Sequence, residues 1–169
     1  AADGSILAEL PFQDGKAIGQ RTLVPLAQYP QHVVQAVLAA EDVRFWEHKG
    51  ADYYAIARAA YANYKAGRVI EGASTITQQL ARNLLPTEIG TERSARRKVR
   101  EVLLARRIER VYSKRDVLET YLGFVFLGQS SYGMVAAARA YFDRELAELD
   151  LPQAAMLAGM VKNPTKYDP

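Results

Sequence analysis

Apolar residues recur at helical spacing through most of this chain, and this periodicity constrains the fold more than any other feature. Val34, Val37 and Leu38 fall at positions i, i+3 and i+4 of one face, which is the pattern of an amphipathic α-helix. Few runs alternate with the period of two that a half-buried strand needs. The chain to about Pro30 predicts a loop or short strands around an Asp-Gly turn signal. The sequence therefore predicts an all-α fold.

Capping residues divide the helical pattern into segments. Asp52, Ser74, Ser113 and Asp150 have side chains that can accept a hydrogen bond at a helix N-terminus. We expect helices over about 30–50, 52–67, 74–86, a long basic segment after residue 91, 113–123, 132–142 and 151–161. Gly50, Gly67 and Gly123 are the expected C-terminal residues of three of them. The polar stretch 87–91 predicts a mobile connection.

Glu41 occupies an unusual place in the first of these helices. It takes the i+7 position of the apolar face that carries Val34, Val37 and Leu38, so its carboxylate should be partly desolvated. Desolvation disfavours the charged form and raises the pKa. A raised pKa suits a general base that works near neutral pH. The alternative is a structural salt bridge of the Glu41-Asp42 pair at a helix end, and the segment alone favours neither.

Composition is that of one compact domain over residues 1–169, with 49% hydrophobic and 24% charged residues. The absence of Cys excludes disulfides and thiolate metal sites. No apolar run approaches the roughly 18 residues of a membrane-spanning helix, and the N-terminus lacks the basic and apolar regions of a signal peptide. We expect a chain that is soluble as given or was cut from a longer, membrane-anchored protein.

Positive charge is concentrated in residues 93–115, which hold ten of the 22 Lys and Arg against two acids. Such a cluster attracts polyanions such as phosphate esters or anionic lipid headgroups. A solvated basic helix face is the alternative. Nucleic acid is disfavoured, because no aromatic residue interleaves with these charges before Tyr112 and no groove-binding motif surrounds them. Leu104, Ile108 and Val111 are the expected buried stripe of this segment.

Two polar sets have spacings that suggest anion binding. Residues 72–79 place hydroxyls and amides around a predicted helix N-terminus, where free backbone N–H groups and the helix dipole favour an anion. Capping would explain Ser74 alone but not the neighbouring Thr77, Gln78 and Gln79. In the basic segment, two cations and Glu101 share one helix face, where a structural ion pair is the alternative.

Four motifs and a closing tail resemble one known family in order and spacing. They are Glu41-Asp42-x-x-Phe45-x-x-His48-x-Gly50, Gly72-x-Ser74-Thr75-x-Thr77-Gln78-Gln79, Arg97-Lys98-x-x-Glu101, Lys114-x-x-Val117-Leu118-Glu119-x-Tyr121-Leu122 and the tail 154–169. This pattern resembles the peptidoglycan glycosyltransferases of glycosyltransferase family 51. These are the transglycosylase domains of class A penicillin-binding proteins and of monofunctional cell-wall glycosyltransferases. The resemblance covers about residues 7–169.

The resemblance implies a fold, a reaction and catalytic residues. The fold would be a lysozyme-like helical head with a smaller, membrane-facing jaw near residues 84–93. The reaction would be the inverting transfer that polymerises lipid II into β-1,4-linked glycan strands. Glu41 would be the general base for the acceptor hydroxyl, and Glu101 would assist at the donor diphosphate. The implied substrate-binding residues are Asp42, Arg44, Phe45, His48, Arg58, Ser74, Thr75, Thr77, Gln78, Gln79, Arg82, Arg93, Arg97 and Lys98.

The resemblance also implies partners and a location. A divalent cation, Mg or Mn, is the expected cofactor, although the sequence assigns no metal ligand. The expected partners are lipid II, the growing lipid-linked glycan chain, a membrane surface, cell-wall synthesis proteins and a C-terminal transpeptidase domain, with no nucleic acid. The expected location is the bacterial cell envelope, at the outer face of the cytoplasmic membrane, with the anchor outside this chain.

Three positions depart from the family pattern. Gly123 replaces a usual Asn, Ser130 stands where Gly is common, and Asp143 replaces a Gly. Two other functions stay open at this point: a lysozyme-like glycan hydrolase, and an inactive cell-wall assembly module. A hydrolase needs no diphosphate-binding set, and an inactive module would be expected to lose Glu41 or Glu101.

Overall fold

The computed structural model describes residues 12–14, 17–19, 23–90, 94–162 and 164. The all-α prediction is confirmed, because eight helices form the described part of the chain and a short antiparallel hairpin precedes them. The hairpin strands are β1 (Phe12–Asp14) and β2 (Ala17–Gly19). The helices are α1 (Gln31–Glu41), α2 (Tyr53–Ala66), α3 (Ile76–Leu84), α4 (Pro86–Ile89), α5 (Ala95–Val111), α6 (Lys114–Phe124), α7 (Met134–Phe142) and α8 (Leu151–Lys162).

Three of the predicted caps are confirmed. The Asp52 side chain accepts a hydrogen bond from the backbone N–H of Ala55 at 3.0 Å, and Asp150 accepts one from the N–H of Gln153 at 2.9 Å. Ser113 starts α6 through a capping box with Asp116. Each cap satisfies N–H groups that a helix leaves unpaired at its N-terminus.

Other predicted boundaries are wrong. The first helix ends at Glu41 instead of near Gly50, and turns follow it. Thr75, rather than Ser74, caps α3. Gly123 lies inside α6, where it is buried.

The core forms where α1 packs on α8 and α3 packs between α5 and α6. The largest fully buried side chains include Tyr121, Phe45, Ile76, Leu118 and Leu157. Only part of the predicted stripe on α5 enters this core. Val111 is 77% exposed, and the buried residues of α5 are Glu101 and Ala105. A carboxylate therefore occupies the most buried face of the most basic helix.

The turn after α1 touches α5 at Gly50. A Cβ atom built on Gly50 would lie 2.7 Å from the carbonyl carbon of Ala105 and 2.7 Å from the N of Arg106. The residue also has φ +85, which disfavours any other side chain. The hydroxyl of Thr75 donates to the carbonyl of Gly50 at 2.8 Å. One glycine thus joins the end of the first motif to α5 and to the start of α3.

The segment expected to be mobile contains a helix. Pro86–Ile89 forms the single turn α4, and Ile89 is only 1% exposed. Ile89 therefore packs inside the protein and is not an exposed apolar group of the expected membrane-facing jaw, whereas Leu84 is 42% exposed. No helix among the described residues combines the length and apolarity that crossing a membrane requires.

Candidate functional site

A cleft of about 400 Å³ opens between the C-terminal end of α1, the start of α2 and the loop before α3. Its walls carry charged and polar groups from five parts of the chain. They include Glu41, Asp42, Arg44, Asp52, Tyr54, Arg58, Glu71, Ser74, Thr75, Gln79 and Lys162. The first two sequence motifs, whose first residues are 31 positions apart, therefore meet around one space.

Glu41 lies at the wall of this cleft with one oxygen bound and one free. Its Oε2 accepts a hydrogen bond from Nε2 of Gln79 at 2.7 Å. Its Oε1 is buried without a hydrogen-bond partner among the described residues. Burial raises the pKa of Glu41 above its ordinary value of 4.5, and the Gln79 hydrogen bond and the charges of Lys162 and Arg82 oppose this only in part. A carboxylate with a free oxygen and a raised pKa can accept a proton from a bound hydroxyl.

Gln79 has a second partner behind Glu41. The hydroxyl of Tyr121 donates to Oε1 of Gln79 at 3.0 Å. The side chain of Tyr121 is completely buried on α6. The amide of Gln79 is therefore held at both ends, with its N–H directed at the carboxylate.

A second charged cluster surrounds Glu101, whose side chain is 1% exposed. Lys98 Nζ lies 3.1 Å from Oε2 of Glu101, while Arg97 Nε and Arg82 Nη1 lie 3.7 and 3.8 Å from Oε1. The sequence left open a structural ion pair between Glu101 and two cations. The structure has instead a buried Glu101 carboxylate that faces three partly exposed cations. Because one carboxylate cannot neutralise three cations, the cluster keeps a net positive charge that suits a diphosphate.

Lys98 connects this cluster to the loop before α3. Its ammonium donates to Oγ of Ser74 at 2.8 Å and to Oε1 of Gln78 at 2.7 Å. Nε2 of Gln78 is buried and has no partner among the described residues. Ser74 also lines the cleft that holds Glu41, so Lys98 links the two charged centres.

The arrangement around Glu101 does not fit a divalent cation. The three cations already face the carboxylate and would repel a dication placed there. Within the described ranges, no group of three or more His, Asp and Glu side chains is arranged to hold a metal ion. The Mg or Mn expected from the resemblance stays a prediction, with no ligand assigned to it.

Several residues expected to bind substrate have hydrogen-bond partners inside the protein. Asp42 accepts from Nε2 of His48 at 2.9 Å and from the N–H of Ile76 at 2.9 Å. Nδ1 of His48 lies 3.3 Å from Nζ of Lys114, so the ring lies between the carboxylate of Asp42 and the ammonium of Lys114. This network joins the first motif to the first turn of α3.

The network continues towards α5. Lys114 Nζ donates to Glu109 at 2.9 Å and lies 4.2 Å above the ring centre of Phe45. The hydroxyl of Thr77 donates to the same carboxylate. His48, Phe45, Thr75 and Thr77 are all buried. Their side chains contact other parts of the protein next to the cleft, and the expectation that they bind substrate stays a prediction.

Two predicted arginines reach the cleft with partners of their own. Arg44 pairs with Glu47 at 2.8 Å and lies 4.8 Å from the ring centre of Tyr54. Arg58 pairs with Glu71 at 2.5 Å. Both can turn towards an anion, since their side chains are 38% and 59% exposed. Arg93 lies outside the described residues.

The sequence reasoning missed Lys162 as a site residue. This lysine is the last residue of α8 and lines the cleft, where its charge lowers the pKa of Glu41. It lies in the tail that matches the closing motif, which was the available signal. Its 121-residue separation from Glu41 kept it from any local pattern.

Comparison with known proteins agrees with this geometry. A model of the transglycosylase family matches residues 4–169. Penicillin-binding protein 1A of Aquifex aeolicus strain VF5 is 48% identical over 152 residues, which is 90% of this chain and 20% of the relative. The Vibrio cholerae protein of the same name is 44% identical over 93% of this chain and 19% of its own length. The corresponding Haemophilus influenzae protein is 46% identical over 92% and 18%.

The chain therefore spans about a fifth of the length of these curated relatives. The family match covers nearly all of the chain and includes both charged centres described above. The lysozyme-like arrangement expected from the resemblance is consistent with this family. On these matches, the chain belongs to the transglycosylase family.

Proposed function

We propose that this chain is a peptidoglycan glycosyltransferase that polymerises lipid II into β-1,4-linked glycan strands by inverting transfer. The observation that carries the proposal is the free Oε1 of Glu41, a buried acceptor at the wall of an open cleft. A cluster of three cations around Glu101 supplies the second requirement of the reaction. The names of the relatives support the same cell-wall role.

Glu41 is the proposed general base. As the 4-hydroxyl of lipid II attacks the anomeric carbon of the lipid-linked chain, its proton passes to Oε1 of Glu41. The new carbon–oxygen bond forms on the face opposite the diphosphate, so the configuration inverts. The bond to the lipid diphosphate breaks in the same step, and its electron pair leaves on the diphosphate oxygen.

Arg82, Arg97 and Lys98 are the proposed stabilisers of that leaving group. Negative charge grows on the diphosphate in the transition state, and cations already held in place stabilise it without reorganisation. Glu101 keeps the three cations together and is a positioning residue in this scheme. Its side chain is 1% exposed, and three cations face it.

The same geometry argues against the hydrolase and the inactive module. A lysozyme-like hydrolase uses a protonated carboxyl as the acid on a glycosidic oxygen, and it has no use for a cation cluster beside the cleft. An inactive module would not need a carboxylate oxygen kept buried and unpaired, because such a group destabilises the fold.

Labelled lipid II tests the proposed function. The purified protein should convert it to glycan strands with β-1,4 linkages, identified by NMR of the product. Glu41→Gln should abolish most of this conversion, and Glu145→Gln, a matched change at an exposed ion pair with Arg139, should not. Cleavage of preformed strands without polymerisation would support the hydrolase. If the protein showed neither polymerisation nor cleavage, the result would support the inactive module.

We also propose that the chain works at a membrane surface in the cell envelope. Val99 and Leu103 are 58% and 52% exposed and lie one turn apart on the basic helix α5. Exposed apolar groups among cations favour an anionic bilayer. Val99→Ser with Leu103→Ser should weaken salt-sensitive sedimentation with anionic liposomes, whereas Leu151→Ser, at another exposed apolar position, should not. If the Val99→Ser, Leu103→Ser variant sedimented with liposomes as much as the Leu151→Ser control, α5 would be excluded as the membrane contact. The outer-face location, a transpeptidase domain and cell-wall synthesis partners stay predictions.

A further inference from the structure

Three side chains from three helices form one chain of hydrogen bonds that ends at Glu41. The hydroxyl of Tyr121 donates to Oε1 of Gln79 at 3.0 Å, and Nε2 of Gln79 donates to Oε2 of Glu41 at 2.7 Å. Tyr121 is completely buried, whereas Gln79 borders the cleft. The tyrosine lies behind the base and cannot touch a substrate in the cleft.

The order of donors and acceptors in this chain follows from the charge of the carboxylate. An ionised carboxylate only accepts hydrogen bonds, so Gln79 must present its N–H group to Glu41. The carbonyl oxygen of the same amide then faces Tyr121, which must donate to it. Without the hydroxyl, this oxygen would have no donor, and the amide would be free to rotate away from Glu41.

We propose that Tyr121 is a positioning residue for the base Glu41 and acts through the amide of Gln79. The inference rests on the proposed function, because it assigns a role in the same proton transfer. By keeping the amide N–H on Oε2 of Glu41, Tyr121 leaves Oε1 as the oxygen that faces the acceptor hydroxyl. It also keeps the carboxylate ionised at a lower pH than burial alone would allow.

The competing explanation is that Tyr121 only fills the core. The two explanations differ in what happens to the charge state of Glu41. Asp42, Arg82 and Lys162 are the titratable groups whose charges shift the pKa of this carboxylate, and Glu41 in turn raises the pKa of Tyr121. Replacing Tyr121 by Phe leaves Asp42, Arg82 and Lys162 unchanged and keeps the ring in the core, so any shift in the titration of Glu41 reports the lost hydroxyl.

Tyr121→Phe tests the proposal, with Tyr141→Phe as the matched control. Tyr141 also donates from a part-buried hydroxyl, to the carbonyl of Leu127 at 2.9 Å, and is not among the groups that act on Glu41. Two readouts apply: ¹³C NMR titration of the Glu41 carboxyl, assigned with Glu41→Gln, and the pH profile of glycan polymerisation. We expect Tyr121→Phe to shift both the titration and the acid limb of the profile upward by about one pH unit.

The control variant should lose a similar amount of thermal stability with no shift in either readout. A Gln79→Met background provides the second test, because Tyr121→Phe should change nothing further once the amide is gone. An unshifted Glu41 titration in Tyr121→Phe, or equal shifts in the two backgrounds, would overturn the proposal. The NMR titration needs no turnover. A parent protein that failed to polymerise lipid II would therefore refute the proposed function and still leave the Tyr121 contact measurable.

Discussion

Replacing Glu41 by Gln should change activity and stability in opposite directions. The substitution keeps the shape of the side chain and its contact with Gln79, since the Gln oxygen can accept the same hydrogen bond. It removes the group that takes the proton. A positioned general base contributes about 10²- to 10⁴-fold to a rate, so we expect polymerisation to fall by that factor.

The stability effect follows from the desolvated charge of Glu41. The Gln variant still has a buried polar group at the position of Oε1, but that group is neutral, and burying a charged group without a full set of partners costs more than burying a neutral one. The half-buried position of Glu41 keeps this difference small. Removing the charge should therefore stabilise the fold by about 1 kcal/mol. For a chain of this size, that corresponds to an increase in Tm of about 2–4 °C.

The pH dependence of this gain has a definite sign. Because burial raises the pKa of Glu41 in the folded state, the contribution of Glu41 to the stability of the parent is largest below about 4.5, the ordinary value, and is lost as the pH rises through the folded-state pKa. The Gln variant has no such loss. Its advantage should be absent in acid and should grow to a plateau towards neutral pH.

Two measurements check the expected changes in activity and in stability. Lipid II polymerisation rates and thermal melts are recorded for the parent and for Glu41→Gln from acid to neutral pH. Polymerisation within a few-fold of the parent would refute the assignment of the base. A Tm that falls by several degrees at neutral pH would refute the reasoning about the desolvated charge. In that case, unfolding of the variant would explain any loss of activity.

Three further substitutions test other parts of the site and fold. Lys98→Met removes three hydrogen bonds and leaves Glu101 with one partner fewer. It should therefore destabilise the fold by about 2 kcal/mol and slow polymerisation. An unchanged urea denaturation curve would contradict this expectation. Lys162→Gln removes a charge that lowers the pKa of Glu41. The acid limb of the pH profile should therefore move upward, and an unmoved limb would show that Lys162 does not act on the base. Asp143→Gly replaces a C-cap residue at φ 51 and ψ 44 and should stabilise the fold by about 0.5 kcal/mol because the left-handed conformation suits glycine; a lower Tm would contradict it.

Local chemistry explains which parts of the fold the sequence predicts. Asp52, Ser113 and Asp150 cap helices through bonds to residues only three positions away, so their effect can be read from neighbours. Ser130 and Asp143, which stand where the family pattern has glycine, both have positive φ. Glycine adopts a positive φ at the lowest cost, so the backbone at these two positions favours the residue that the resemblance led us to expect there.

The end of α1 depends on partners far along the chain and could not be predicted in the same way. The residue after Glu41 binds the first N–H of α3 through its side chain, 34 positions away. Glu41 was nevertheless expected to be desolvated from its place on the apolar face, and its raised pKa agrees. The roles of Tyr121 and Lys162 could not be predicted from the sequence, because these residues come near Glu41 only in the folded protein. No periodicity connects residues that lie 80 and 121 positions apart.

The contact at Gly50 sets the distance between the turn after α1 and helix α5. The turn that follows the base lies against the backbone of Ala105, one turn of helix beyond Glu101. Even a methyl group at Gly50 would push α5 outward, and the cation cluster would move with it. This contact therefore helps to set the distance between Glu41, the proposed proton acceptor, and the cations on α5 that are proposed to stabilise the leaving group, and a side chain at position 50 would increase that distance.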